Sequence, residues 1–178
     1  MLRTLHTNTR YWAAILAQLV LLAYFELCVV APLGDWNAHP VTTLTLSDAN
    51  ISEVNRAGEL LLGAVMGGFQ LLLLAGTVWR LKPLLWVGLI GDTAWLIPHI
   101  LSLWVPYVRG ALPNYAFLHY HIYGNHPTNL LPSFGTHLAP DGLHTVLDVL
   151  LVVVVVTLVR YLRSLRPQLG LAQERRNT

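Results

Sequence analysis

The sequence predicts an all-α fold, an integral membrane four-helix bundle, and three observations carry that prediction. Four apolar runs reach or approach the ~20 residues a helix needs to cross a bilayer. Only 11% of the 178 residues are charged, against about 25% in soluble domains. The mean hydropathy is +0.53, and most lysines and arginines gather at the same side of the apolar runs. These features predict one membrane domain, 1–178, and no separate soluble one. The formal net charge of +2 is small and sits at the ends, which argues against nucleic acid as a partner.

The chain opens on a polar lead with Arg3 and Arg10, and the first predicted span is 11–31. A basic lead before an apolar core also suits a signal peptide. The core, however, exceeds the usual ~7–15 residues, contains Glu26, and would be cut just before Pro32. It is therefore read as a retained span. Residues 33–58 read as a polar loop, with turn formers at Gly34, Asp35, Pro40, Asp48 and Asn50. The second span is 60–79, and Arg80 to Pro83 make a tight turn into the third, 84–107. A long loop, 108–141, carries His119, His121, His126 and His137. The fourth span is 143–162, and 163–178 is a basic tail.

Orientation follows the distribution of basic residues around short loops. Arg3, Arg10, Arg80, Lys82, Arg160, Arg163, Arg166, Arg175 and Arg176 fall on one side, and only Arg56 and Arg109 on the other. Both termini are thereby predicted to be cytoplasmic in a cell membrane, with both long loops outside. Trp12, Trp79 and Trp86 fall at the inner boundary, and Trp36 and Trp104 at the outer, as an interfacial aromatic belt requires.

Cys28 is the only cysteine, which excludes an intrachain disulfide or a paired-thiol redox motif. Gly63, Ala64, Gly67 and Gly68 give overlapping small-xxx-small pairs, a spacing that lets helix backbones approach closely. It serves packing inside the bundle, or a homodimer or larger membrane complex through Gly63 and Gly67. Pro98 lacks the amide that would bond Ala94 and so predicts a kink in the third span.

Ionisable groups at lipid depth mark function by default. At ~1.5 Å per residue, Glu26 lies ~22 Å above the inner end of its span and His99 ~22 Å. Asp148 comes out at ~21 Å and His144 at ~27 Å. A lower layer holds Gln18, Gln70 and Asp92 at ~11–14 Å. His144 and Asp148 are i and i+4 on one stripe, with Asp141 one turn earlier, and Asp92 and His99 are two turns apart on one face. A lone His–Asp pair would read as interhelical glue, worth ~0.6 kcal/mol. A whole layer of costly groups reads as a site.

Two imidazoles and two carboxylates suit a divalent transition metal such as zinc, iron or manganese, with Glu26, His99, His144 and Asp148 as ligands. Haem between His99 and His144 is the weaker cofactor reading, because their heights differ by about one turn. As catalytic groups, His144 or His99 would serve as general base and Asp148 as its orienting carboxylate. Asp92, Asp141, His119 and His121 are supporting residues. His119 and His121 flank Tyr120, which places both imidazoles on one side of an extended segment. Asn50-Ile51-Ser52 matches the N-glycosylation acceptor pattern.

Trp104-Val105-Pro106-Tyr107, then Leu130-Leu131-Pro132, then Leu143-His144 resemble a group of small, uncharacterised bacterial four-span membrane proteins. The resemblance covers the third helix to the fourth and implies the same four-span fold with an aromatic-rich outer loop. It carries no activity. Asp148 stands where that pattern has a second histidine, which counts against a simple two-histidine metal pair.

The leading expectation is a multi-pass membrane protein, in contact with the lipid bilayer, whose outer-half layer binds a metal ion or polar ligand beneath the outer loop. The alternatives are a non-catalytic accessory subunit of a membrane complex, and a proton-handling or lipid-substrate enzyme.

Overall fold

The structure, a computed structural model, describes residues 2–31, 33, 49–110, 130–135, 137 and 139–165. His119, His121, His126, Trp36, most of the first loop and the tail beyond 165 lie outside the described residues. The fold is all-helical: α1 (Leu2–Val30), α2 (Ala49–Val78), α3 (Lys82–His99), a π-helical turn (Ile100–Trp104), α4 (Val105–Arg109) and α5 (Gly142–Ser164).

The four long helices form a ring in which each packs on the two beside it: α1 on α2, α2 on α3, α3 on α5, and α5 on α1. Their order is up, down, up, down. Glu26 lies against Gly67 and Val29 against Gly63, while Tyr24 reaches Leu143 and Tyr11 stacks on Tyr161. The interior is filled by Leu21, Leu73, Leu85, Leu151, Val154 and Leu158, all nearly inaccessible.

Thr9–Val30, Lys82–Arg109 and Gly142–Ser164 are long and apolar enough to cross a membrane, while the apolar part of α2, Gly63–Val78, is shorter. Helix α2 nevertheless begins at Ala49, not Leu60, and α1 begins at Leu2, not Tyr11. Hydropathy measures the lipid-length part of a helix. The polar flanks Leu2–Arg10 and Ala49–Glu59 contain no proline, and Gly58 is their only glycine, so nothing local stops the helix.

The α2–α3 turn is a Schellman motif. The Leu81 amide donates to the Gly76 carbonyl at 2.8 Å and that of Arg80 to Thr77 at 3.3 Å. This places Arg80 in the left-handed region, φ 57°, where glycine is usual. Its guanidinium lies 5.8 Å from the Tyr11 ring centroid, a cation–π contact that offsets part of the strain. Pro83 then opens α3, where its missing amide costs nothing.

The small-residue spacing on α2 serves the bundle. A Cβ on Gly63 would stand 2.7 Å from Val29 Cγ1, and one on Gly67 would strike the Glu26 carboxylate. The Gly63/Gly67 face that could have made a dimer is therefore occupied by α1 of the same chain. Of the neighbouring glycines, only Gly68 faces open space.

Three polar pairs link the ring at successive heights. Gln18 Nε2 donates to Thr77 Oγ1 at 2.9 Å, joining α1 to α2. Gln70 Nε2 donates to Asp92 Oδ1 at 2.6 Å, joining α2 to α3. His99 meets Asp148 at 2.7 Å, joining α3 to α5. Thr77 and Gln70, and then Asp92 and His99, are each seven residues apart, so successive pairs stand about 10 Å apart.

Candidate functional site

The third of these pairs lies where α3 runs out and α5 begins, and local backbone events shape it. Pro98 cannot donate within α3, and the helix continues past it as a π-helical turn in which the Val105 amide reaches the Ile100 carbonyl. Residues five apart in an α-helix point about 140° away from each other. The wider turn instead brings His99 and Trp104 to the same side. His99 Nδ1 bonds Asp148 Oδ1 at 2.7 Å, and Trp104 Nε1 donates to Asp148 Oδ2 at 2.7 Å. The Asp148 side chain is 4% exposed and that of His99 19%, so a buried carboxylate is gripped at both oxygens while the imidazole keeps one open edge. The kink expected at Pro98 is thus a rephasing of the helix. Such turns cluster at functional sites.

The second histidine is held by the start of α5. Asp141 is the N-cap: its Oδ1 accepts from the His144 amide at 2.8 Å and its Oδ2 bonds His144 Nδ1 at 2.7 Å. This satisfies a first-turn amide and fixes the imidazole with the same carboxylate. Tyr24 of α1 closes the layer, its hydroxyl donating to the Leu143 carbonyl at 3.0 Å. The His99 and His144 rings stand 5.5 Å apart, centroid to centroid. Trp95 meets His99 edge-on at 6.2 Å and Phe25 at 5.2 Å.

Above the layer, the end of the long loop folds back onto α4. His137 Nδ1 bonds the Tyr107 carbonyl at 2.9 Å, and the Tyr107 hydroxyl donates to the Pro132 carbonyl at 3.3 Å. The Phe134 and His137 rings stack at 5.0 Å across a turn that needs Gly135 at φ 60°.

Four expected site residues therefore come together: His99, His144, Asp148 and Asp141. Their pairing differs from the expected stripe. Asp148 is bound across helices by His99, and His144 turns back to Asp141, because an N-cap carboxylate three residues earlier is nearer than one a turn further into the helix. Glu26 lies on Gly67 of α2, three residues and ~5 Å along that helix from Gln70, so it falls short of the His99 layer. Asp92 pairs with Gln70, two turns below His99. Among the described residues, no three of His, Cys, Asp or Glu are placed to hold a metal ion. The four-ligand set of Glu26, His99, His144 and Asp148 does not form, because the carboxylates are spent on the Nδ1 atoms and Glu26 is turned away. Trp104, expected in the aromatic belt, instead donates to Asp148.

Both imidazoles thus bond carboxylates through Nδ1. That fixes the tautomer with Nδ1–H and leaves Nε2 as the lone-pair atom. Nε2 of His99 has no hydrogen-bond partner among the described residues. A carboxylate-oriented imidazole of this kind can bind a metal, accept a hydrogen bond or act as a general base. No known protein-family model, curated protein or solved structure matches the chain.

Proposed function

We propose that the chain is a multi-pass membrane protein whose outer end binds a polar ligand or a metal ion through His99 and His144. Asp148 and Asp141 orient the two imidazoles and do not themselves ligate. The observation that carries this reading is the side-by-side placement of two carboxylate-bound imidazoles, 5.5 Å apart, one with an unpartnered Nε2. Three span-capable helices support the membrane location, and α2, packed between α1 and α3, is the fourth span. Arg10, Arg80, Lys82, Arg160 and Arg163 fall at one end of the ring and Arg109 at the other. That asymmetry supports cytoplasmic termini and an outward-facing histidine layer.

A zinc titration by calorimetry on the detergent-purified chain, with elemental analysis beside it, tests the reading. One bound zinc per chain is expected, with affinity at least ~10-fold weaker in His99→Ala and in His144→Ala, as for loss of a ligand. Glu26→Gln is expected to bind as wild type does. Equal binding by wild type and both histidine variants, or no binding at all, would refute the imidazole site.

A further inference from the structure

The middle of the three polar links is chemically incomplete. Asp92 is 0% exposed and Gln70 1%, so both are closed off within the chain itself. One hydrogen bond joins them, Gln70 Nε2 to Asp92 Oδ1. The two remaining oxygens, Gln70 Oε1 and Asp92 Oδ2, have no partner. Buried acceptors of this kind are seldom left open. Two on one interacting pair point to a missing donor.

The surroundings do not supply it. Among the described residues, no histidine, lysine or arginine forms an ion pair with Asp92. On α5, packed against α3, Asp148 holds His99. Tyr161, whose hydroxyl is also unpartnered among the described residues, stands beside Tyr11, thirteen residues and ~20 Å along the helix from Asp148. On α1, Glu26 lies on Gly67. On α3 itself His99 is two turns away. An ionised Asp92 would be a buried charge with one amide donor for compensation, an arrangement that proteins avoid.

We propose that Gln70 and Asp92 form a buried proton-binding site, distinct from the histidine layer, in which Asp92 Oδ2 carries a proton and donates it to Gln70 Oε1. A carboxylic acid and a carboxamide are complementary, N–H to one oxygen and O–H back to the other. A single proton, bound from water by the carboxylate, therefore completes both open oxygens and removes the charge. A metal cation would require about six oxygens, where this pair has two to offer. A bridging water would satisfy the oxygens and leave the charge.

The test is an infrared difference spectrum between wild type and Asp92→Asn at neutral pH. The proposal expects the variant to lose one carboxylic-acid carbonyl band, with the same loss in added sodium chloride. Asp92→Asn should keep the wild-type melting temperature, because its amide N–H replaces the acid O–H. Loss of a carboxylate band in its place would overturn the proposal, and so would an acid band that sodium abolishes. If Asp92→Asn does not fold, a change at its partner still decides. In Gln70→Leu the acid carbonyl band of Asp92 should move to higher frequency as it loses its amide donor, and an unshifted infrared spectrum would refute the site. Neither measurement involves His99 or His144, so this site and the zinc reading fail separately.

Discussion

Asp148→Ala is expected to lower the stability of the folded chain by roughly 2 kcal/mol and to weaken zinc binding ~10–100-fold. The stability loss has a defined source. Removing the carboxylate leaves two donors, His99 Nδ1 and Trp104 Nε1, without their acceptors at 2.7 Å. Each unsatisfied donor costs about 1–3 kcal/mol in a protein interior. Membrane bundles recover part of that through alternative partners, which holds the sum near the lower bound. The binding loss follows because, among the described residues, no other hydrogen bond orients the His99 ring. Asp148→Asn is the informative companion: its oxygen satisfies one donor, while its amide opposes the other, so about half the destabilisation should remain. Thermal unfolding in detergent and the zinc titration read the two effects. Asp148→Ala with wild-type stability and wild-type affinity would show that the carboxylate orients nothing.

The second large effect concerns the α2–α3 hairpin. Gly76→Ala is expected to destabilise by about 1–3 kcal/mol, the usual range for overpacking. The added Cβ would stand 2.7 Å from Leu84 Cβ. That atom is fixed to the backbone, so the two helices must part for it to fit. Gly68→Ala supplies the contrast. Nothing lies within 4 Å of its Cβ, and alanine is the better helix former by about 1 kcal/mol. It should unfold at or above the wild-type temperature. Equal effects from the two substitutions would show that helix propensity, and not close approach, decides these positions.

The helices and their antiparallel order are legible in the sequence, because hydropathy and charge mark the apolar runs, but Gln18, counted into one layer with Gln70 and Asp92, pairs instead with Thr77, about 10 Å along α2 from Gln70. Gln70 and Asp92 are placed in one layer by counting residues, and so are His99 and Asp148. Azimuth is less legible. Glu26 lies on Gly67, short of the His99 layer, a choice set by how α1 slides and rolls against α2. The exchange of partners between the two histidines depends on an N-cap and on a π-helical turn. Asp141 announces the first, but Pro98 announces only that something happens to the helix, not that the disturbance is one extra residue per turn. The approach of Trp104 to Asp148 depends on that turn, and its sequence position alone predicts only an aromatic-belt residue. The beginning of α2 differs for a simpler reason, since a helix can continue past the point where apolarity stops.

The π-helical turn also decides where this chain can change length. A turn closed by i→i+5 bonds holds one residue more than an α-helical turn. Deleting one residue from Ile100–Leu103 would leave His99 and Trp104 four apart in ordinary α-helix, still on one face and both able to reach Asp148. Deleting one residue between Asp92 and His99 has no such absorber. It would swing one of them by about 100°, breaking either the Gln70 link or the Asp148 link. Single-residue deletions in this helix should therefore be tolerated at the π-helical turn and selected against between Asp92 and His99.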